Sequence, residues 1–238
     1  MKIITLFFLF LSGMAYGQVS NIDKEAFLVG TLDEYMGRRQ AFTSKIDRSY
    51  YQMVDIYFQK EHKLASLIDS LFKGEIDDLH IINNQAPKGI KLHSEKLSKK
   101  VNEYYSYEPA KTGNSFEGDP LYVGSLKKEK FVTENQKLAF LAGAYIRNGE
   151  PVDNEIKNEV FTRIFEKKAE PGTYWISMPN AGGKAKICKE FLIAEGCTDV
   201  EYTVRKDYIP VGHHIAFKPS EKVRKVIEKM DQLKSSLK

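Results

Sequence analysis

The chain has 238 residues, 42% of them hydrophobic, and a formal net charge of +4 from 36 lysines and arginines against 32 acids. That is enough for one large core or two small ones without covalent staples. The basic excess is small and its clusters are interrupted, as in Lys127-Lys128-Glu129-Lys130, so no concentrated basic footprint is present and nucleic acid is excluded as an expected partner.

Lys2 precedes an apolar run from Ile3 to Leu11, and Ala15-Tyr16-Gly17 supplies the small residues a signal peptidase needs. Residues 1–17 therefore read as a secretory signal cleaved before Gln18, and the expected location is periplasmic or extracellular. The run is too short for a comfortable membrane span, and no later stretch approaches about 18 uninterrupted apolar residues, so the processed chain is expected to be soluble and without a span.

The next elements read as a helical hairpin over residues 18–73. Ile22, Ala26, Phe27 and Val29 lead to Tyr35-Met36 in a first helix opened by Asn21 or Asp23 and ended or kinked by Gly37-Arg38-Arg39. Ile46, Tyr50, Met53, Tyr57, Leu64, Leu67 and Leu71 follow three-four spacing, which predicts a second helix of some seven turns to Phe72. Lys60 interrupts that stripe and disfavours a uniform coiled coil.

Residues 74–130 read as a loop-rich connection. Leu79 to Ile82 fits a short strand, Gln85 to Gly89 a turn, and Ser94 to Tyr105 a helix, after which Pro109, Gly113, Gly118, Pro120 and Gly124 predict irregular chain. Tyr104, Tyr105, Tyr107, Phe116 and Tyr122 sit in or beside it, as a candidate stacking surface for a sugar or a protein partner, or as pins onto the core.

From residue 131 to the end the pattern is helix plus a small sheet. Thr133-Glu134-Asn135-Gln136 is a capping box, and the helix it opens is apolar nearly all round. Gly143 in its middle predicts a second backbone passing close by. Asn148-Gly149 ends it, and Pro151 opens a helix with Ile156, Val160, Phe161, Ile164 and Phe165 on one face. Tyr174 to Met178 is β-prone, Lys184 to Glu195 has helical spacing with Gly196 as a left-handed terminator, and Val200, Tyr202 and Val204 alternate as a strand should. His214 to Phe217 completes a hairpin, and a basic helix begins near Ser220. The class expected is α+β or mixed α/β, helix-rich, with a small sheet in the carboxyl-terminal part and no internal repeat.

Candidate chemistry is sparse. Gly182, Gly183 and Lys184 open a helix and could receive an anion on free amides, although neither the dinucleotide fingerprint nor the P-loop is present. Cys188 followed by His213 or His214 has the order of a thiol nucleophile and its base, which makes a cell-envelope cysteine hydrolase the alternative reading. Adjacent histidines on a strand point to opposite faces and cannot share a metal, so neither a metal nor a cofactor is expected. Cys188 and Cys197 lie nine residues apart, roughly 13 Å along a straight helix, which predicts two buried thiols. The leading expectation is an exported, non-catalytic binding protein of the envelope or exterior with a protein or glycan partner; its oligomeric state is open.

Overall fold

A computed structural model describes residues 22–34, 38–41, 53–84, 89–114, 120–207 and 209–237. In chain order these form α1 (Lys24–Thr31), β1 (Arg38–Ala41), β2 (Met53–Phe58), α2 (His62–Phe72), β3 (His80–Asn84), β4 (Gly89–His93), α3 (Glu95–Asn102), β5 (Tyr105–Asn114) and β6 (Pro120–Leu126). There follow α4 (Glu134–Asn148), β7 (Gly149–Pro151), α5 (Glu155–Phe165), β8 (Tyr174–Pro179), α6 (Gly182–Ala194), β9 (Thr198–Arg205), β10 (Gly212–Lys218) and α7 (Glu221–Leu237). The class is α+β, as the residue patterns predict.

The chain is built twice, which corrects the expectation of no repeat. After its opening helix each half runs strand, helix, hairpin, helix: β2, α2, β3-β4, α3 in the first and β8, α6, β9-β10, α7 in the second. The sheets have matching antiparallel orders, β2-β4-β3 and β8-β10-β9, with the last strand of each hairpin in the middle and β7 added at the second sheet's edge. The first half carries an addition, the β5-β6 hairpin extended by β1. The second carries α5.

The two opening helices, α1 and α4, form the centre. Phe27-Leu28-Val29-Gly30 and Phe140-Leu141-Ala142-Gly143 share a spacing, and their contacts are reciprocal. A Cβ on Gly30 would lie 2.1 Å from Phe140 O, and one on Gly143 would lie 2.1 Å from Phe27 O. Only two glycines allow the backbones this close, and the mirrored distances describe a near two-fold relation between the halves. The close backbone predicted from Gly143 is thus that of α1. Asp23 caps α1 through Ala26 N at 2.9 Å, and Thr133 with Gln136 forms the predicted capping box on α4.

Each sheet turns one face onto this pair. Ile176, Met178, Ile215 and Phe217 are buried from the second sheet, and Tyr57, Ile90 and Leu92 from the first. The outer faces differ. On the second sheet Phe161 and Phe165 of α5 pack over Trp175 and Ala216 as a separate apolar cluster, each large side chain contributing about 1.5–3 kcal/mol by leaving water. On the first sheet, Ile56 on β2 and Ile82 on β3 flank Lys91 of β4 in one rung, and both isoleucines stay exposed, at 42% and 36%.

Several expected elements differ. The seven-turn helix is replaced by strand β2 and the shorter α2, and its first residues, 46–52, lie outside the described residues, so the predicted helical hairpin does not form. The region read as loop holds two hairpins and α3; Pro109 and Gly124 lie inside β5 and β6, paired with Tyr122 and Tyr107, while Gly89 and Pro120 begin strands. Pro151 closes β7, and Asn154 caps α5 instead. Gly196 does end α6 with a positive φ of 80°.

Candidate functional site

The carboxyl ends of α1 and α4 meet, and there the charges of the protein converge. Arg147, in the last turn of α4, donates to Thr31 O at 2.7 Å and to Ile56 O at 2.8 Å. Its guanidinium also contacts Asp55 at 2.6 Å and Glu61 at 3.1 Å, and lies 4.6 Å from the centre of the Tyr57 ring. Burial opposes its charge, yet Asp55, Tyr57 and Glu61 hold its pKa above the ordinary arginine value. One second-half arginine thereby pairs with two first-half acids and satisfies the Thr31 carbonyl that ends α1 and the Ile56 carbonyl of β2.

Lys184, in the first turn of α6, is 1% exposed, and its Nζ donates to Leu32 O at 2.6 Å. Burial lowers its pKa, with Glu34 pulling the other way. Glu34 is itself buried and accepts from Tyr105 Oη–H at 2.6 Å; burial raises its carboxyl above the usual range, with Lys184 opposing. Leu32, Asp33, Glu34, Glu61, Arg147 and Lys184 line a cleft of about 300 Å³ between the halves, with Phe58 at its rim. Among the described residues no three His, Cys, Asp or Glu side chains gather as metal ligands.

Phe58, 58% exposed, joins this cleft to the open outer face of the first sheet. Ile56, Ile82 and Lys91 form the next rung, and His80 faces His93 beyond it, ring centres 5.7 Å apart. Neither Lys91 nor Lys60, two residues past Phe58, has a carboxylate partner among the described residues. Among those residues no element lies over this face.

The residues singled out by sequence fall elsewhere. Cys188 is fully buried, and burial pushes its thiol up to about 12, the opposite of what a thiolate nucleophile requires. His213 and His214 point to opposite faces of β10. His213 Nδ1 lies 2.6 Å from Tyr202 Oη with its ring over Gly182, while His214 stacks 6.2 Å from Trp175 on the other face. No thiol–imidazole pair forms among them, so the cysteine hydrolase reading is withdrawn. Cys188 and Cys197 are both free and buried.

The tyrosines are largely structural. Tyr104 and Tyr105 are buried, Tyr104 against Phe131 at 5.3 Å; Tyr107 donates to Asn102 Oδ1 at 2.8 Å and Tyr122 lies half-buried on β6. Phe116 lies outside the described residues. Tyr104, Tyr105 and Tyr107 pin the β5-β6 hairpin to the core, and among the described residues these tyrosines form no exposed stacking surface. Gly182 and Gly183 do open α6, but Lys184 turns inward to Leu32 O. Sequence reasoning passed over Phe58, Arg147 and Asp55, although Val54-Asp55-Ile56-Tyr57-Phe58 carries the β-branched and aromatic content of a strand.

No protein-family model matches the chain, and no curated protein matches it. Among solved structures, one of mesophilic variants from the homing endonuclease I-DmoI is similar over 90% of this chain and 96% of that one, at 15% identity and a TM-score of 0.48. Two expectations are corrected beside that finding, the exclusion of nucleic acid as a partner and the non-catalytic envelope binding protein with a protein or glycan partner. The first rested on the small basic excess and its interrupted clusters, which say nothing about one bare face; the second rested on a stacking loop of which Tyr104 and Tyr105 are buried and Tyr107 and Tyr122 half-buried. Neither is kept.

Proposed function

We propose that the chain binds single-stranded nucleic acid across the outer face of β2-β4-β3. The observation that carries this reading is the rung Ile56–Lys91–Ile82 with Phe58 beside it, open to solvent, where the corresponding face of the second sheet is sealed by α5. An exposed ring on a sheet offers a base its face, worth about 1–3 kcal/mol per stacked base, and an unpaired lysine one rung away answers the phosphate. Duplex is disfavoured because a ring can only stack on a base already free of its neighbours. Cleavage is not part of the proposal, since Glu34, Asp55 and Glu61 are engaged by Tyr105 and Arg147.

Fluorescence anisotropy with a labelled single-stranded oligonucleotide tests it. Binding is expected at low salt, weakened about 5- to 150-fold by Phe58→Ala, with Lys91→Ala lowering the salt slope by about 0.7. No binding at low salt, or binding indifferent to both substitutions, refutes the reading. Residues 1–17 add the proposal that the binder is exported with that segment removed before Gln18; a chain that stays in the cytoplasm, or whose exported form does not begin at Gln18, would contradict it.

A further inference from the structure

A second cavity, of about 430 Å³, lies between α5 and the far end of the second sheet, lined by Val160, Arg163, Ile164, Ser177, Pro210 and His214 among others. Its volume falls in the range that takes small organic ligands, about 300–1,000 Å³. The walls are mainly apolar side chains. Three polar groups interrupt them, and among the described residues none has a side-chain hydrogen-bond partner.

Ser177 and His214 are direct cross-strand neighbours on β8 and β10, so both side chains leave the sheet on the α5 side. His214 is 8% exposed, its Nδ1 is buried without a hydrogen bond, and its Nε2 edge lies over Gly212, itself in the cavity wall. The absence of a side chain at Gly212 makes room for that ring: a Cβ there would come within 2.3 Å of Nε2. Ser177 Oγ has no hydrogen-bond partner among the described residues, and neither has the Arg163 guanidinium, although Arg163 O accepts from Arg205. A hydroxyl, an imidazole N–H and a guanidinium around one apolar chamber are all donors. Among the described residues no carboxylate lines the cavity.

We infer that this cavity is a binding site for a small organic monocarboxylate with an apolar body. Its carboxylate accepts from Arg163, Ser177 Oγ–H and His214 Nε2–H, and its hydrocarbon lies against Val160, Ile164, Pro179 and Pro210. A bare inorganic anion would leave those apolar walls unfilled, and a neutral apolar molecule would leave the donors unanswered. The site shares neither Phe58 nor Lys91 with the strand-binding face, so failure of one proposal leaves the other intact.

Calorimetric titration of the whole processed chain with phenylacetate, octanoate and phenylacetamide tests the inference. Saturable binding of at least one carboxylate below about 1 mM is expected, with phenylacetamide weaker by about tenfold or more. Arg163 is exposed, so Arg163→Ala should fold normally and lose about tenfold in affinity; Ser177→Ala, a smaller change, should lose less in the same direction. No saturable binding of either carboxylate, equal binding of the amide, or unchanged affinity in both variants overturns it.

Discussion

Substituting Gly143 by alanine tests the centre of the fold. In an ordinary helix interior the change stabilises by about 1 kcal/mol, because alanine loses less backbone freedom on folding. Here the new Cβ would sit 2.1 Å from Phe27 O and 2.9 Å from Thr31 N, both backbone atoms of α1 that no rotamer change can move. Restoring normal contact requires α1 and α4 to part by about 1 Å, which loosens Phe27 and Phe140, both 0% exposed. Overpacking of this kind costs about 1–3 kcal/mol, and the rigid obstacle on each side puts the expected net loss near the upper end. Urea unfolding followed by circular dichroism should show the midpoint falling by about 1 M, at a slope of about 1–3 kcal/mol/M. Gly30→Ala should behave alike. Gly183→Ala is the control, since a Cβ there meets nothing within 4 Å, and it should be neutral or slightly stabilising. A Gly143→Ala protein as stable as its parent would refute the close-packed helix pair.

Arg147→Met removes the cation shared by Asp55 and Glu61 and strands a buried carboxylate, so a loss of about 3–5 kcal/mol is expected in the same denaturation assay. Burial, then His213 and Arg205, depresses His214 from 6.5 to about 4. A histidine held neutral in the folded state stabilises fully above its unfolded pKa. That contribution should therefore drain away as pH falls from 6.5 to 4 and be absent in His214→Gln. Cys188, its thiol raised to about 12, should resist a thiol reagent in the native protein and react at once in denaturant; rapid native labelling of Cys188 would contradict its burial.

The second half was largely legible because its elements carry local marks: the box at Thr133, the left-handed Gly196, the alternation through Val200, Tyr202 and Val204. The first half misled for a definite reason. Met53 and Tyr57 are four residues apart and Val54 widens the stripe, so six residues of strand satisfy a helical period when read together with Leu64, Leu67 and Leu71; short apolar windows fit both periods. The repeat escaped notice because little beyond Phe-Leu-x-Gly is common to the two helices, and its meaning lies in one backbone touching another 113 positions away, as Gly30 and Gly143 do. Lys184 shows the same limit. Its partner, Leu32 O, is 152 residues distant, and the need for a donor at the end of α1 is visible only once the helices are placed.

The proposed strand-binding face can be located directly. Ultraviolet cross-linking of a photoreactive single-stranded oligonucleotide to the protein, followed by mass mapping of the adducts, should mark peptides containing Phe58, Ile82 or Lys91. Adducts confined to the α5 side of the second sheet, or none at all, would contradict the account.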